Sequence, residues 1–220
     1  MTAETGFEEE LKAEEKKHKK ILKYDLETFI VLIVIVAFVV FTNLMLKSSY
    51  KPVGKVRAGI APALIECNKS ILNVGETFRK NTTDDNARIA VDAAKLAFDG
   101  AIAYYGKSVT KGVSDGIIVS VLDSCYQSAV HFHNVISTQQ NLDGLGVSTA
   151  MLTSMDNDIR RLKEKADSLM TGIDAYNSTG FFLTFSWVTP YPSTIAYDRI
   201  ILPEMQPMAT TTPAEKPESK

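Results

Sequence analysis

Residues 28–46 read TFIVLIVIVAFVVFTNLML and contain no charged side chain. At about 1.5 Å of rise per residue they make a helix about 28 Å long, close to the hydrocarbon thickness of a bilayer. A core helix of a water-soluble domain would carry a polar stripe, and none is present through Val40. A cleaved signal peptide is the main rival. Its apolar part is shorter and leads into small residues, whereas Asn43-Leu44-Met45-Leu46-Lys47 offers no small-x-small cleavage site. The run therefore predicts an uncleaved transmembrane helix over 26–47. Thr42 and Asn43 fall near its far end, where partial hydration lowers their cost.

Outward from this run the basic residues are unequal. Lys12, Lys16, Lys17, Lys19, Lys20 and Lys23 precede it, and Lys47, Lys51, Lys55 and Arg57 follow. That excess predicts a cytoplasmic N-terminus and an extracytoplasmic main domain. Residues 1–25 form a charged juxtamembrane segment with Glu8–Lys12 and Glu15–Lys19 at the helical i,i+4 spacing. Its bland reading is a solvated helical extension of the anchor. Its functional reading puts Lys16, Lys17, Lys19 and Lys20 on anionic headgroups, at about 1 kcal/mol per basic residue.

The chain has 220 residues and a formal net charge of −2. That balance argues against nucleic acid as a partner, and the length fits one ordinary domain plus tails. Residues 48–192 read as that domain, and every segment in it reads as helix. From 52 to 80, Val53, Val56, Ile60, Leu64, Cys67, Ile71, Val74 and Phe78 recur at steps of three and four. Gly54, Gly59 and Pro62 weaken this stretch, and Pro62 predicts a kink or restart. An alanine-rich helix is expected over about 85–105, a glycine loop over 106–116, and a third helix over about 115–140. A fourth, over about 148–177, carries Leu152, Met155, Ile159, Leu162, Ala166, Leu169, Ile173 and Tyr176 as a coiled-coil-like seam. That seam serves either packing inside the domain or pairing with another chain; in the second case Leu152, Met155, Ile159, Leu162, Leu169 and Ile173 are the partner-binding residues. The expected fold is all-α: one transmembrane helix, then an antiparallel helical bundle whose fourth helix returns to the membrane.

Residues 181–188, Phe-Phe-Leu-Thr-Phe-Ser-Trp-Val, are apolar and aromatic but too short to span. Phe181, Phe182 and Trp187 suit the membrane interface; the competing reading makes the segment a cap on the domain core. A disordered tail is expected over 193–220, where the end is rich in Pro, Thr, Glu and Lys.

Few residues suggest chemistry. His131 and His133 are two apart, so on a helix they do not share a face and make a poor metal pair. The glycines match neither a P-loop nor a dinucleotide fingerprint, and no nucleophile motif stands out. No cofactor and no enzymatic activity are expected. Cys67 and Cys125 read either as one disulfide or as two buried thiols. Asn68, Asn81 and Asn177 open Asn-x-Ser/Thr triplets, which accept glycans only in a eukaryotic secretory lumen.

Two patches resemble the LemA family of single-pass, helix-rich bacterial membrane proteins. Ile71-Leu72-Asn73-Val74-Gly75-Glu76-Thr77-Phe78 is similar to the family's I-P-N-L-V-E-T-V stretch, with Leu72 for its proline and Gly75 for an apolar residue. Ile173-Asp174-Ala175-Tyr176-Asn177 is similar to its V-x-x-Y-N element. The paired arginines expected before the first patch are absent, and Leu169-Met170 stand where a Tyr-Asn is expected. The resemblance implies an organising or interaction role at a membrane. The residues and the resemblance together predict a membrane-anchored scaffold that meets the lipid bilayer and protein partners or a second copy of itself. The alternative is a ligand-sensing extracytoplasmic domain that signals through a partner.

Overall fold

The structure, a computed structural model, describes residues 4–199. Helix α1 spans Glu4–Asn81, α2 Asp85–Thr110, α3 Asp115–Ser137 and α4 Thr149–Asn177, followed by a 3-10 helix, η1, over Gly180–Val188. No strand occurs among the described residues. Two compact units result. One comprises the chain up to Ser49 with Thr179–Ser193; the other comprises Tyr50–Ser178 with the segment from Thr194.

The anchor and the first domain helix are one element, not two. Pro52 and Pro62 both lie inside α1. Each removes one backbone hydrogen bond and costs about 3 kcal/mol in a helix interior. The buried face of the same stretch includes Val53, Ile60, Leu64, Cys67, Ile71, Val74 and Phe78. At about 1.5–3 kcal/mol per large apolar side chain, that burial exceeds the cost of two prolines, and the helix continues.

α2 also runs further than its glycines suggest. Gly106 is helical and faces open space, whereas Gly112 adopts φ +65 and ends the helix. Val113 N–H reaches the Ser108 carbonyl at 3.3 Å and Gly112 N–H reaches Val109 at 3.1 Å. That pair is a Schellman stop, which a glycine in the left-handed region permits. Caps set the other ends. Asp84 Oδ1 accepts from Asn86 and Ala87 N–H at the start of α2, and Ser148 Oγ accepts from Met151 N–H at the start of α4.

The α4 seam lies inside the second unit. Met155, Ile159, Leu162, Leu169 and Ile173 are fully buried, and Leu152 nearly so. They meet a core to which α3 contributes Ile118, Leu122, Cys125, Phe132 and Ile136. In this fold Leu152, Met155, Ile159, Leu162, Leu169 and Ile173 serve packing inside the unit, one of the two uses that their spacing allows. Gly75 sits where α1 meets α3: a Cβ there would lie 3.3 Å from the Phe132 ring. The absent side chain lets that ring approach α1.

The start of the expected tail is tied down. Ile195 is buried, and the Asn177 amide clamps its backbone, donating to the carbonyl at 2.9 Å and accepting from the N–H at 3.0 Å. Tyr197 donates to Asp174 Oδ1 at 2.6 Å. Paired backbone groups and a buried Ile195 give this segment the contacts that composition alone does not reveal. The remainder of the tail, 200–220, lies outside the described residues.

Truncating Leu162 to Ala should lower the stability of the second unit by about 2–5 kcal/mol. Chemical denaturation of the detergent-solubilised chain measures it. The loss should be independent of protein concentration, as an internal seam requires.

Candidate functional site

The first unit carries the chain's most unusual surface. From Phe29 to Val36, eight consecutive side chains of α1 are each between 51 % and 61 % exposed, and all are Phe, Ile, Val or Leu. Eight successive positions cover more than two turns, so apolar groups face outward on every side. A core helix would bury them. α1 is long and apolar enough to cross a membrane, with a mean hydropathy of 3.0 in its most apolar window.

At the far end of this run η1 packs against α1 within the same unit. The Phe38 and Phe185 rings meet edge to face at 4.9 Å, and Phe41 and Phe182 at 5.6 Å. Phe181 extends the cluster to Phe182 at 5.6 Å and Phe185 at 5.2 Å. Phe38, Thr42 and Leu46 follow at steps of four along one face of α1, and Thr42 and Leu46 are fully buried. The opposite side of η1 is open: Phe181 is 63 % and Trp187 79 % exposed. Rings that bind α1 with one edge and show another outward suit a wet–apolar boundary. Phe38 and Phe41 were not singled out from the sequence, because inside a uniformly apolar run nothing marks them as partners of a segment some 140 residues away.

Lys16, Lys17, Lys19 and Lys20 are all exposed on α1, and Lys19 bonds Glu15 at 2.7 Å. They flank the near end of the apolar run, so basic and aromatic groups bracket it from opposite ends.

The second unit holds three buried polar centres. Asp115, the first residue of α3, is 4 % exposed and accepts from Tyr50 Oη at 2.5 Å and Arg57 at 2.8 Å. The helix N-terminus adds to its stabilisation. Burial, then the Asp115 hydrogen bond, pushes the Tyr50 phenol up to about 12. Tyr50 and Arg57 are seven apart on one helix face, a spacing that could have paired them in the sequence; Asp115 as their target could not be read there. A second centre joins α1 to α4: Asp158 accepts from Ser70 and Arg161, and Arg161 also reaches Glu66 at 2.9 Å. Beside it Cys67 and Cys125 are both free and buried. Burial raises both thiols, Cys125 to about 12, so neither is a thiolate nucleophile at neutral pH.

The third centre separates the two histidines. His131 is exposed; His133 is 1 % exposed. Asp156 Oδ1, which has no hydrogen bond of standard geometry, lies 2.9 Å from His133 Nε2, and Asn134 Oδ1 lies 3.2 Å from Nδ1. Burial pulls this imidazole down, but the contacts to Asp156 and Asn134 outweigh it, and the net shift is upward. Among the described residues no group of three metal-type ligands comes together.

The Asn-x-Ser/Thr triplets share one property: their amides are built into the fold. Asn81 donates to the Leu145 carbonyl at 2.8 Å, Asn177 clamps Ile195, and Asn68 Oδ1 is buried in mid-helix.

These features define an all-helical chain with one candidate membrane-spanning helix and an aromatic segment folded onto that helix. No family model, no characterised protein and no solved structure matches it.

Two outcomes are expected. Val34→Arg places a charge at the middle of the apolar run at a cost of about 2.5–3.5 kcal/mol in insertion. It should shift chain from the pellet to the supernatant on carbonate extraction, while the parent stays in the pellet. For His133, a raised folded-state value means its stabilisation is fully present below the ordinary imidazole range and is lost as pH rises through the folded value. The melting difference between parent and His133→Asn should therefore be largest near pH 5 and shrink towards pH 8, as thermal scans in detergent would record.

Proposed function

We propose that this chain is a single-pass, membrane-anchored helical protein that works by binding at the membrane, as a scaffold or component of a membrane-associated complex, rather than by catalysis. The observation that carries the reading is the outward-facing apolar surface of α1 with η1 stacked on its far end. A helix apolar on all sides is stable where lipid replaces water. In this reading η1 rests in the interface of the distal leaflet, with Trp187 at headgroup level, and the chain is held at two points.

The domain from Tyr50 to Ser178 is an antiparallel bundle of the later part of α1 with α2, α3 and α4. Its seam and histidine are used internally, so interaction falls to outer faces. The excess of lysine before the span sets the N-terminus in the cytoplasm and the bundle outside. Lys16, Lys17, Lys19 and Lys20 then lie beside the anionic cytoplasmic leaflet. The LemA-like patches fit the same role. Ile71, Val74, Phe78, Ile173 and Tyr176 within them are core residues, so the resemblance bears on packing more than on a site.

The chain has one tryptophan, which makes the interface directly readable. In vesicles, Trp187 emission should be blue-shifted and quenched by lipids brominated near the headgroup end of the chains. Emission typical of water, with free quenching by iodide, would remove η1 from the bilayer. Protease protection of the bundle on sealed vesicles tests the orientation, and chemical crosslinking in native membranes tests complex formation.

A further inference from the structure

The outer face of α2 is unlike that of an ordinary water-facing helix. The most exposed residues from Ile89 to Gly106 are Ile, Leu, Tyr, Ala or Gly, with the Asp92 and Asp99 side chains, 43 % and 41 % exposed, at the edge. The large ones, Ile89, Leu96 and Tyr104, are 63 %, 71 % and 58 % exposed. Ala93, Ala97 and Gly100 lie between them and leave the backbone uncovered; among the described residues no other element comes within 4 Å of a Cβ built on Gly100. This face is about 27 Å long at helical rise. A surface helix normally turns charge outward, and a continuous apolar stretch of this kind marks an interaction surface.

We propose that this face pairs antiparallel with the same face of a second copy of the chain. The charges on α2 select that occupant and that direction. The helix begins with Asp84 and Asp85, the latter bonded to Arg88 at 2.7 Å, and ends basic, with Lys107 and Lys111. A two-fold axis between Leu96 and Ala97 sets Asp85 of each copy beside Lys107 of the other and opposes the two macrodipoles. Lys95 lies on the inner side of α2, against Gly75 of α1, and bonds Asp99 at 2.5 Å, so this pair stays within one chain. Parallel pairing would instead set Asp85 against Asp85 and Lys107 against Lys107. The same axis puts Ala93 opposite Gly100, which brings the backbones close, and Ile89 opposite Tyr104, which closes each end. The pairing is isologous, as two-fold interfaces are. It deepens the binding role proposed above by naming the partner, and its failure would leave the Trp187 result untouched.

Oxidative crosslinking of the full chain in detergent tests it. Cys67 and Cys125 are buried, so the parent is the uncrosslinked control. Ala97→Cys, next to the axis, should give a covalent dimer. Ile89→Cys alone should not, because the two copies of that residue lie about 22 Å apart along the helices, whereas Ile89→Cys with Tyr104→Cys should. Adding Leu96→Glu to Ala97→Cys should cut the dimer by about tenfold or more with the melting temperature little changed, since Leu96 is largely exposed in its own chain. Dimer from Ile89→Cys alone would overturn the antiparallel arrangement. No dimer from Ala97→Cys would overturn self-association, and quenching of a bimane label at that position by nitroxide-bearing lipid in vesicles would then assign the face to lipid.

Discussion

A backbone in hydrocarbon has no water to accept its N–H groups, so each must be paired within the chain. The run from Thr28 to Leu46 meets that demand as part of one uninterrupted helix. Its side chains have the reverse requirement, since outward-facing Phe, Ile, Val and Leu are favoured only where water is absent. Both conditions hold together in a helix with lipid around it. The packing of η1 is subordinate to this, because its rings have α1 to bind only where the span presents Phe38 and Phe41.

The second unit is built around an apolar core. Leucine, isoleucine and phenylalanine fill the centre, and the charges taken inside are held in pairs. Asp115 shows how. A carboxylate nearly out of solvent would be costly alone, but a phenol, a guanidinium and a helix N-terminus converge on it. Removing any one partner leaves the others with a poorer match, so the cluster fixes how the start of α3 meets α1. The Asp158 group does the same between α1 and α4. Such pairs contribute less to net stability than to selecting one arrangement among several apolar ones.

Much of this was legible from residue order. The apolar run, the four helical segments and the aromatic segment follow from periodicity and composition, and the α4 seam is buried where its spacing put it. The errors have physical causes. Pro62 suggested a kink or restart, and α1 continues through it. Three glycines suggested a loop, although only Gly112 occupies a conformation that requires one. The alanine-rich α2 shows no clear inner face in the sequence; Val91, Ala94, Phe98 and Tyr105 form it. Periodicity cannot choose between two faces when alanine populates both.

Sequence alone therefore determined what depends on local chemistry: which stretch is apolar enough to cross a membrane and which stretches favour helix. Only the tertiary structure decided which face of α2 turns inward, that Asn177 clamps Ile195, and that Tyr50 and Arg57 meet Asp115. Those outcomes join residues far apart along the chain, and a local spacing holds no information about which distant surface will be pressed against it.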